Sequence, residues 1–215
     1  MKKFVLSLAF LSVLFVSCSD DDDSSLDDTL VENQEEEINE ARIFLTNTND
    51  DTDVVTLSAI LEEDGEEEDV VVTGGTLSAN TVYTGSWELT AEEMNDTRDE
   101  IAEEDDDHQF FFLASEGLNI EVAYNDADDL GNPLGLMFTL TTGEASEGTL
   151  NIRLSHLLTK TSPGILDGDI TEDDVDEAGG ETEFNEDFEL VIEEEVVEEE
   201  TTDDMTAEVT PAAAE

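Results

Sequence analysis

The stretch Tyr83-Thr84-Gly85-Ser86-Trp87-Glu88-Leu89 decides the fold, because apolar and polar side chains alternate along it with a period of two. This alternation is typical of a β-strand that turns one face to a hydrophobic core. The same pattern recurs in residues 55–61, 118–124, 134–140, 150–154 and 188–192. Glycine-rich turn signals separate the runs. About nine short strands at this spacing predict an all-β fold, an immunoglobulin-like β-sandwich of about seven to nine strands.

Two segments depart from this pattern. Phe110-Phe111-Phe112-Leu113 is apolar on both faces, so we expect it at the centre of a sheet with cover on each side. Residues 91–103 are the one segment with a helical pattern: Thr90 is placed to cap a helix, and Glu92 and Glu93 suit its first turn. Because strands and helices do not alternate, a doubly wound or two-lobed α/β architecture is not expected.

The first 23 residues have the pattern of a bacterial secretory signal. Lys2 and Lys3 precede an apolar run over residues 4–16, which is shorter than the roughly 20 residues that span a bilayer. Ser17 and Cys18 follow, and the segment 15–18 resembles a lipobox, where bacterial lipoproteins are cleaved and then acylated with chains such as palmitate. Cys18 is the single cysteine of the chain. We predict a signal peptide over residues 1–17 and a lipid anchor on Cys18; the alternative is an ordinary signal peptide.

The segments that flank the predicted sandwich are strongly acidic. Asp20 to Asp23 resemble the export signal that sends Bacteroidota lipoproteins to the outer leaflet of the outer membrane. The resemblance implies a lipid-anchored protein of the cell outer membrane that is exposed at the surface. Like charges repel and bury little apolar surface, so we expect an acidic linker over 18–40 and a disordered tail over 193–215. The sandwich then occupies residues 41–192.

Charge excludes two classes of partner. The chain has 61 acidic and 6 basic residues, for a formal net charge of −55. Nucleic acids and anionic lipid surfaces both require clustered Lys and Arg, which the chain lacks. Cations and basic proteins remain as partners. The acidity itself has two interpretations: a solvated surface, as in a salt-adapted organism, or a reservoir for divalent cations.

The two histidines are candidates for a transition-metal site. His108 begins the strand of Phe110, and His156 ends the strand over residues 150–154. If the two strand ends are neighbours, the two imidazoles with a nearby carboxylate form a ligand set for zinc or copper. The alternative is two unrelated histidines at strand ends.

Two acidic loops are candidates for calcium. Asp126 and Asp128 begin like an EF-hand loop, and Asp167 and Asp169 also offer oxygens at alternate positions. Both loops depart from the full EF-hand pattern. The alternative is a pair of turns whose Asp, Asn and Gly residues are chosen for backbone geometry.

Several ordered stretches resemble a family of small acidic lipoproteins of flavobacteria and other Bacteroidota. The resemblance runs from about residue 54 to residue 192 and rests on segments 74–85, 108–112, 123–128, 131–136 and 139–143. Members are loosely labelled as type 1 periplasmic binding folds, which the strand pattern here does not support. The resemblance implies an envelope protein and supplies no catalytic residues.

No nucleophile motif or phosphate-binding loop is present in the sequence, so an enzyme is not expected. The leading hypothesis is a non-enzymatic, lipid-anchored β-sandwich that serves as a structural or ligand-binding accessory, for example to an outer-membrane transporter. The alternative is a lipoprotein that binds a divalent cation, either calcium or zinc or copper.

Substitution of Cys18 tests the anchor. Cys18→Ala removes the acylated thiol, so we expect a full-length precursor that no longer partitions with outer membranes. Each methylene of an acyl chain contributes roughly 0.8 kcal/mol to membrane binding when it is buried in the bilayer, and the variant loses this contribution. Fractionation and immunoblotting measure the result. A variant that stays with detergent-extracted outer membranes like the parent protein contradicts the lipoprotein prediction.

Overall fold

The computed structural model describes residues 38–64, 67–91, 97–166 and 170–194. The predicted signal peptide, Cys18, the acidic tail beyond residue 194 and most of the linker lie outside these residues. The first described strand begins at Ile38 and the last ends at Glu193, and the sandwich is predicted over residues 41–192. No helix within the described ranges has the length and apolar character needed to cross a bilayer.

Ten strands form two sheets in the part of the chain that the structure describes. In chain order they are β1 (Ile38–Asn47), β2 (Val54–Asp64), β3 (Glu67–Thr73), β4 (Gly75–Ser78), β5 (Val82–Ala91), β6 (His108–Ala114), β7 (Ile120–Tyr124), β8 (Met137–Thr142), β9 (Ser146–His156) and β10 (Glu181–Glu193). The larger sheet has the order β3-β2-β1-β5-β8-β7 and the smaller sheet the order β4-β10-β9-β6. The β4–β10 pair is parallel, and the others are antiparallel. The predicted all-β sandwich is confirmed, with one strand more than the upper end of the predicted range.

Aromatic packing joins the two sheets. Trp87 of the larger sheet stacks on Phe110 of the smaller sheet with ring centroids 4.4 Å apart, and Phe184 meets it edge-on at 6.2 Å. The indole Nε1 donates a hydrogen bond to the carbonyl oxygen of Gly135 at 3.0 Å, which satisfies its one polar atom. The alternation that predicted the strand of Trp87 therefore reflects a core shared by both sheets.

The strand of Phe110 lies at an edge of its sheet, and the prediction that it lies at the centre is wrong. It pairs only with β9 in the sheet. Its outer edge is covered by a loop, because Phe110 N donates to Leu134 O at 2.7 Å and the Tyr124 hydroxyl donates to Phe110 O at 2.8 Å. The predicted cover on both faces is present: Phe110 faces the sandwich core, and Phe111 packs in a second cluster with Leu158, Ile165, Val175 and Ala178.

Three short helices occur in the described residues, and one of them lies within the segment 91–103, where a single helix is predicted; Glu92 and Glu93 lie outside the described residues. The helices are α1 (Thr97–Glu103), α2 (Pro163–Leu166) and α3 (Glu172–Ala178). Thr90 lies in β5 and caps no helix, so that part of the prediction is wrong. The start of α3 is a capping box: Thr171 N donates to Asp174 Oδ2 at 2.9 Å, and Asp174 N donates back to Thr171 Oγ1 at 3.4 Å. Helices α2 and α3 supply the outer cover of Phe111.

Gly85 allows the close approach of two strands in the larger sheet. It pairs with Phe138 of β8, and a Cβ atom at position 85 would lie within the Phe138 ring. Gly85→Ala therefore forces the ring to move in a packed core, and we expect a loss of about 1–3 kcal/mol in the free energy of unfolding. Urea denaturation measures the loss. The neighbouring Ser86→Ala, whose side chain is exposed, is the control; equal stability of Gly85→Ala and the parent protein contradicts the close packing.

Candidate metal centre

The antiparallel pairing of β6 and β9 places the two histidines side by side. His108 is directly opposite His156 in the register, at one end of both strands. The imidazole rings are stacked in parallel, with centroids 4.4 Å apart and planes inclined by 4°. Both side chains are almost completely buried. The condition on which the zinc or copper hypothesis depended, that the two strand ends are neighbours, is therefore met.

A buried carboxylate that the sequence analysis missed contacts both rings. Glu183 Oε2 lies 3.2 Å from His108 Nε2, and Glu183 Oε1 lies 2.9 Å from His156 Nδ1. Its side chain is only 1% exposed. The register of β10 against β9 shifts between Thr182 and Phe184, so Glu183 occupies an irregularity in the strand. Bulges of this kind redirect a side chain, which explains how a glutamate in an otherwise alternating strand faces the histidines.

The turn after α1 adds a second carboxylate and orients one of the rings. The carbonyl oxygen of Glu104 lies 3.0 Å from His108 Nδ1. A carbonyl oxygen only accepts hydrogen bonds, so Nδ1 donates to it, which turns the Nε2 edge of the ring towards Glu183. Side-chain ligand atoms of Glu104, His108 and His156 all lie within 4.8 Å of one another. The site thus contains two imidazoles and two carboxylates.

The same turn connects the histidine cluster to a buried lysine. Lys160 is 5% exposed, and its ammonium group donates to Asp105 O at 2.5 Å and to Pro133 O at 3.1 Å. Asp107 O accepts a hydrogen bond from the backbone of Leu157, the residue that follows His156. The turn over residues 104–107 therefore contacts Lys160, His108 and the backbone at the end of β9.

Lys160 also lies against the first candidate calcium loop. Its ammonium is 3.4 Å from Asp128 Oδ2. The Asp128 carboxylate accepts further hydrogen bonds from Leu130 N at 2.9 Å, Asn132 N at 2.8 Å and Asn132 Nδ2 at 2.9 Å. A lysine and three N–H donors from the loop already surround this carboxylate. These contacts favour the alternative interpretation, in which Asp128 is present for the geometry of the turn.

The other predicted calcium ligands are not assembled into a site by the described residues. Asp126 accepts hydrogen bonds from Gly135 N at 2.7 Å and Met137 N at 2.8 Å, so its carboxylate closes the loop onto the start of β8. Asp167 and Asp169 lie outside the described residues. The calcium hypothesis at that second loop remains a prediction.

Burial and local contacts have opposite effects on the pKa values of Asp128 and Lys160. Burial raises the pKa of Asp128, but the hydrogen bonds from Asn132, the charge of Lys160 and the hydrogen bond from Leu130 together hold it below its ordinary value. Burial lowers the pKa of Lys160, and the charge of Asp128 opposes that shift. The pair is therefore a structural ion pair that needs both members.

Compared with family models, curated proteins and solved structures, the chain matches none. The class of protein is therefore defined by the fold and the cluster alone: an all-β sandwich whose buried end holds two histidines and two glutamates. The resemblance to a lipoprotein family stays a hypothesis.

Acid unfolding tests the role of Asp128. Its pKa is lowered in the folded state, so its contribution to stability is complete above the ordinary value of 3.8 and is lost as the pH falls through the folded value. In Asp128→Asn this acid-dependent component should disappear. The variant should also lose about 3–5 kcal/mol at neutral pH, because Lys160 keeps a buried charge without its partner.

Denaturant unfolding of the variant between neutral pH and pH values below 3.8 measures both effects. Asp129→Asn, at the exposed neighbouring position, removes the same charge without touching the pair and is the control. Equal pH dependence in the parent protein and Asp128→Asn contradicts this role.

Proposed function

We propose that this protein is a lipid-anchored, non-enzymatic β-sandwich of the cell envelope that binds one divalent transition-metal ion, zinc or copper. His108, His156 and Glu183 would hold the ion, with Glu104 as a further carboxylate. The observation that carries the proposal is the pair of parallel, buried imidazoles with one carboxylate in contact with both.

Charge balance allows a divalent metal ion at the cluster. Glu183 is buried, and a buried carboxylate needs a positive partner. If both rings were protonated, two like charges would face each other at 4.4 Å. Their repulsion is about 4 kcal/mol at an effective dielectric constant of about 20. A divalent ion with two neutral imidazoles balances the two carboxylates and avoids this repulsion.

The separations of the nitrogen and oxygen atoms also suit coordination. Ligand atoms bound to a tetrahedral zinc ion at about 2.1 Å lie about 3.4 Å from one another. The distances from Glu183 to the two rings are 3.2 and 2.9 Å, and, as a separate group, one ligand atom each of Glu104, His108 and His156 lie within 4.8 Å of one another. The donor set of imidazole and carboxylate is the one that zinc and copper use in proteins.

Burial of the cluster supports binding over catalysis. Catalytic zinc sites keep one position open to substrate, whereas binding sites are enclosed by protein ligands. Here the two rings and Glu183 are each at most 1% exposed. The strongly acidic chain would raise the local concentration of cations, which suits a protein that collects a metal ion at the cell surface. The wider role as an accessory to an outer-membrane transporter is part of the same proposal and depends on the anchor.

Calorimetric titration with zinc or copper tests the proposal. A chain with 61 carboxylates binds cations weakly at many places, so the titration is made in about 1 M sodium chloride, where the Debye length is about 3 Å, with magnesium in excess. One ion per chain should bind under these conditions. Binding should also raise the free energy of unfolding by about 2.7 kcal/mol at a hundredfold excess over Kd.

Variants locate the ion. His108→Gln and His156→Gln each remove one imidazole, and each should weaken binding by at least about a hundredfold. Glu189→Gln removes an exposed carboxylate from the same strand as Glu183 and is the matched control, with unchanged affinity. Binding of one ion with the affinity of the parent protein in both histidine variants contradicts the proposed function.

A further inference from the structure

A small cavity at the start of β10 includes Glu183, a residue of the histidine cluster, in its wall. Its volume is about 190 Å³, and it lies between the first strands of the larger sheet and the start of β10. Glu183 forms part of its wall, together with Asn39, Glu186 and apolar residues such as Leu61 and Val70. Glu183 is therefore the residue that the cavity wall and the histidine cluster share.

Two polar side chains of this cavity offer oxygen ligands. Glu186 is opposite Ile152 in the register, and because Ile152 faces the core, the Glu186 side chain points to the same inner side. Burial, followed by the charge of Asp187, raises the pKa of Glu186. Asn39 Oδ1 is buried and has no hydrogen-bond partner among the described residues. An inward carboxylate and an amide oxygen thus share an otherwise largely apolar wall.

No cationic side chain of the described ranges occupies this cavity. Each of the four described Lys and Arg residues forms its ion pair elsewhere, in the pairs Arg42–Glu40, Arg98–Asp99, Arg153–Asp176 and Lys160–Asp128. Buried carboxylates are favourable only with a positive partner. A positive charge near Glu186 would therefore come from a bound ion, because no described lysine or arginine supplies it.

We infer that this cavity is the route by which a hydrated divalent cation reaches the histidine pair, with Asn39 and Glu186 as oxygen ligands on the way. The inference rests on the proposed function, because the ion passes from these oxygens to Glu183 and then to His108 and His156. Asn39 and Glu186 lie outside the final ligand set. They therefore change how fast the ion arrives and leaves, and they leave the final affinity unchanged.

Stopped-flow kinetics with zinc test the route in the full-length protein. Glu186→Gln removes the inward charge, and Val70→Trp narrows the cavity at a residue that is 45% exposed, so the core is not disturbed. Both variants should bind zinc about tenfold more slowly than the parent protein. Release of zinc to a chelator should slow by the same factor, so that Kd stays the same. Glu189→Gln, which removes an equal charge outside the cavity, should keep the rates of the parent protein.

The results of these kinetic experiments distinguish a failure of the proposed route from a failure of the proposed metal centre. Rates equal to those of the parent protein in both Glu186→Gln and Val70→Trp overturn the route while the metal centre stands. A weaker Kd in Glu186→Gln caused by faster release also overturns it, because Glu186 would then be a permanent ligand. A parent protein that binds no zinc overturns the proposed function and the route together.

Discussion

The packing of Trp87 between the two sheets is the interaction on which the rest of the sandwich depends. The indole stacks on Phe110 at 4.4 Å and meets Phe138 and Phe184 at 6.5 and 6.2 Å, so one side chain contacts strands of both sheets. The chain carries a formal charge of −55, and repulsion among its carboxylates opposes the compact state. Apolar burial, worth about 25 cal/mol per Å², must outweigh that repulsion. The contact with Phe110 also fixes β6, the strand that begins with His108.

Much of the fold is predictable from the period of the apolar residues. The predictions for the strand of Phe110 and for the helices fail for local reasons. The alternation predicts the strands around Trp87 and the long strand β9 because each has one solvated face. The apolar run of Phe110 predicts the centre of a sheet because such a strand needs cover on both faces. Helices α2 and α3 and a loop supply that cover at an edge instead. The acidic sequence of helix α3 is equally typical of a solvated surface, so it predicts no helix, although Thr171 and Asp174 form a recognisable capping box.

The candidate site is predictable only in part. The sequence shows that His108 and His156 lie at strand ends, but only the register of β6 against β9 shows that they are opposite each other. Glu183 carries no signal in the sequence, because it is one of 61 acidic residues and an irregularity in β10 turns it inward. Asp128, in contrast to Glu183, belongs to a recognisable motif in the sequence. Its motif indicates calcium, whereas the buried ammonium of Lys160 and the N–H groups of its own loop contact the carboxylate.

The most direct test of the metal centre is anomalous X-ray diffraction from crystals grown with zinc, with data collected on both sides of the zinc absorption edge. The expected result is one strong anomalous peak in the buried end of the sandwich, about 2.0–2.1 Å from a nitrogen of His108 and from a nitrogen of His156. A carboxylate oxygen of Glu183 should complete the contacts. Anomalous peaks confined to exposed Asp and Glu side chains, with none between the two imidazoles, would contradict a metal-binding role for the cluster.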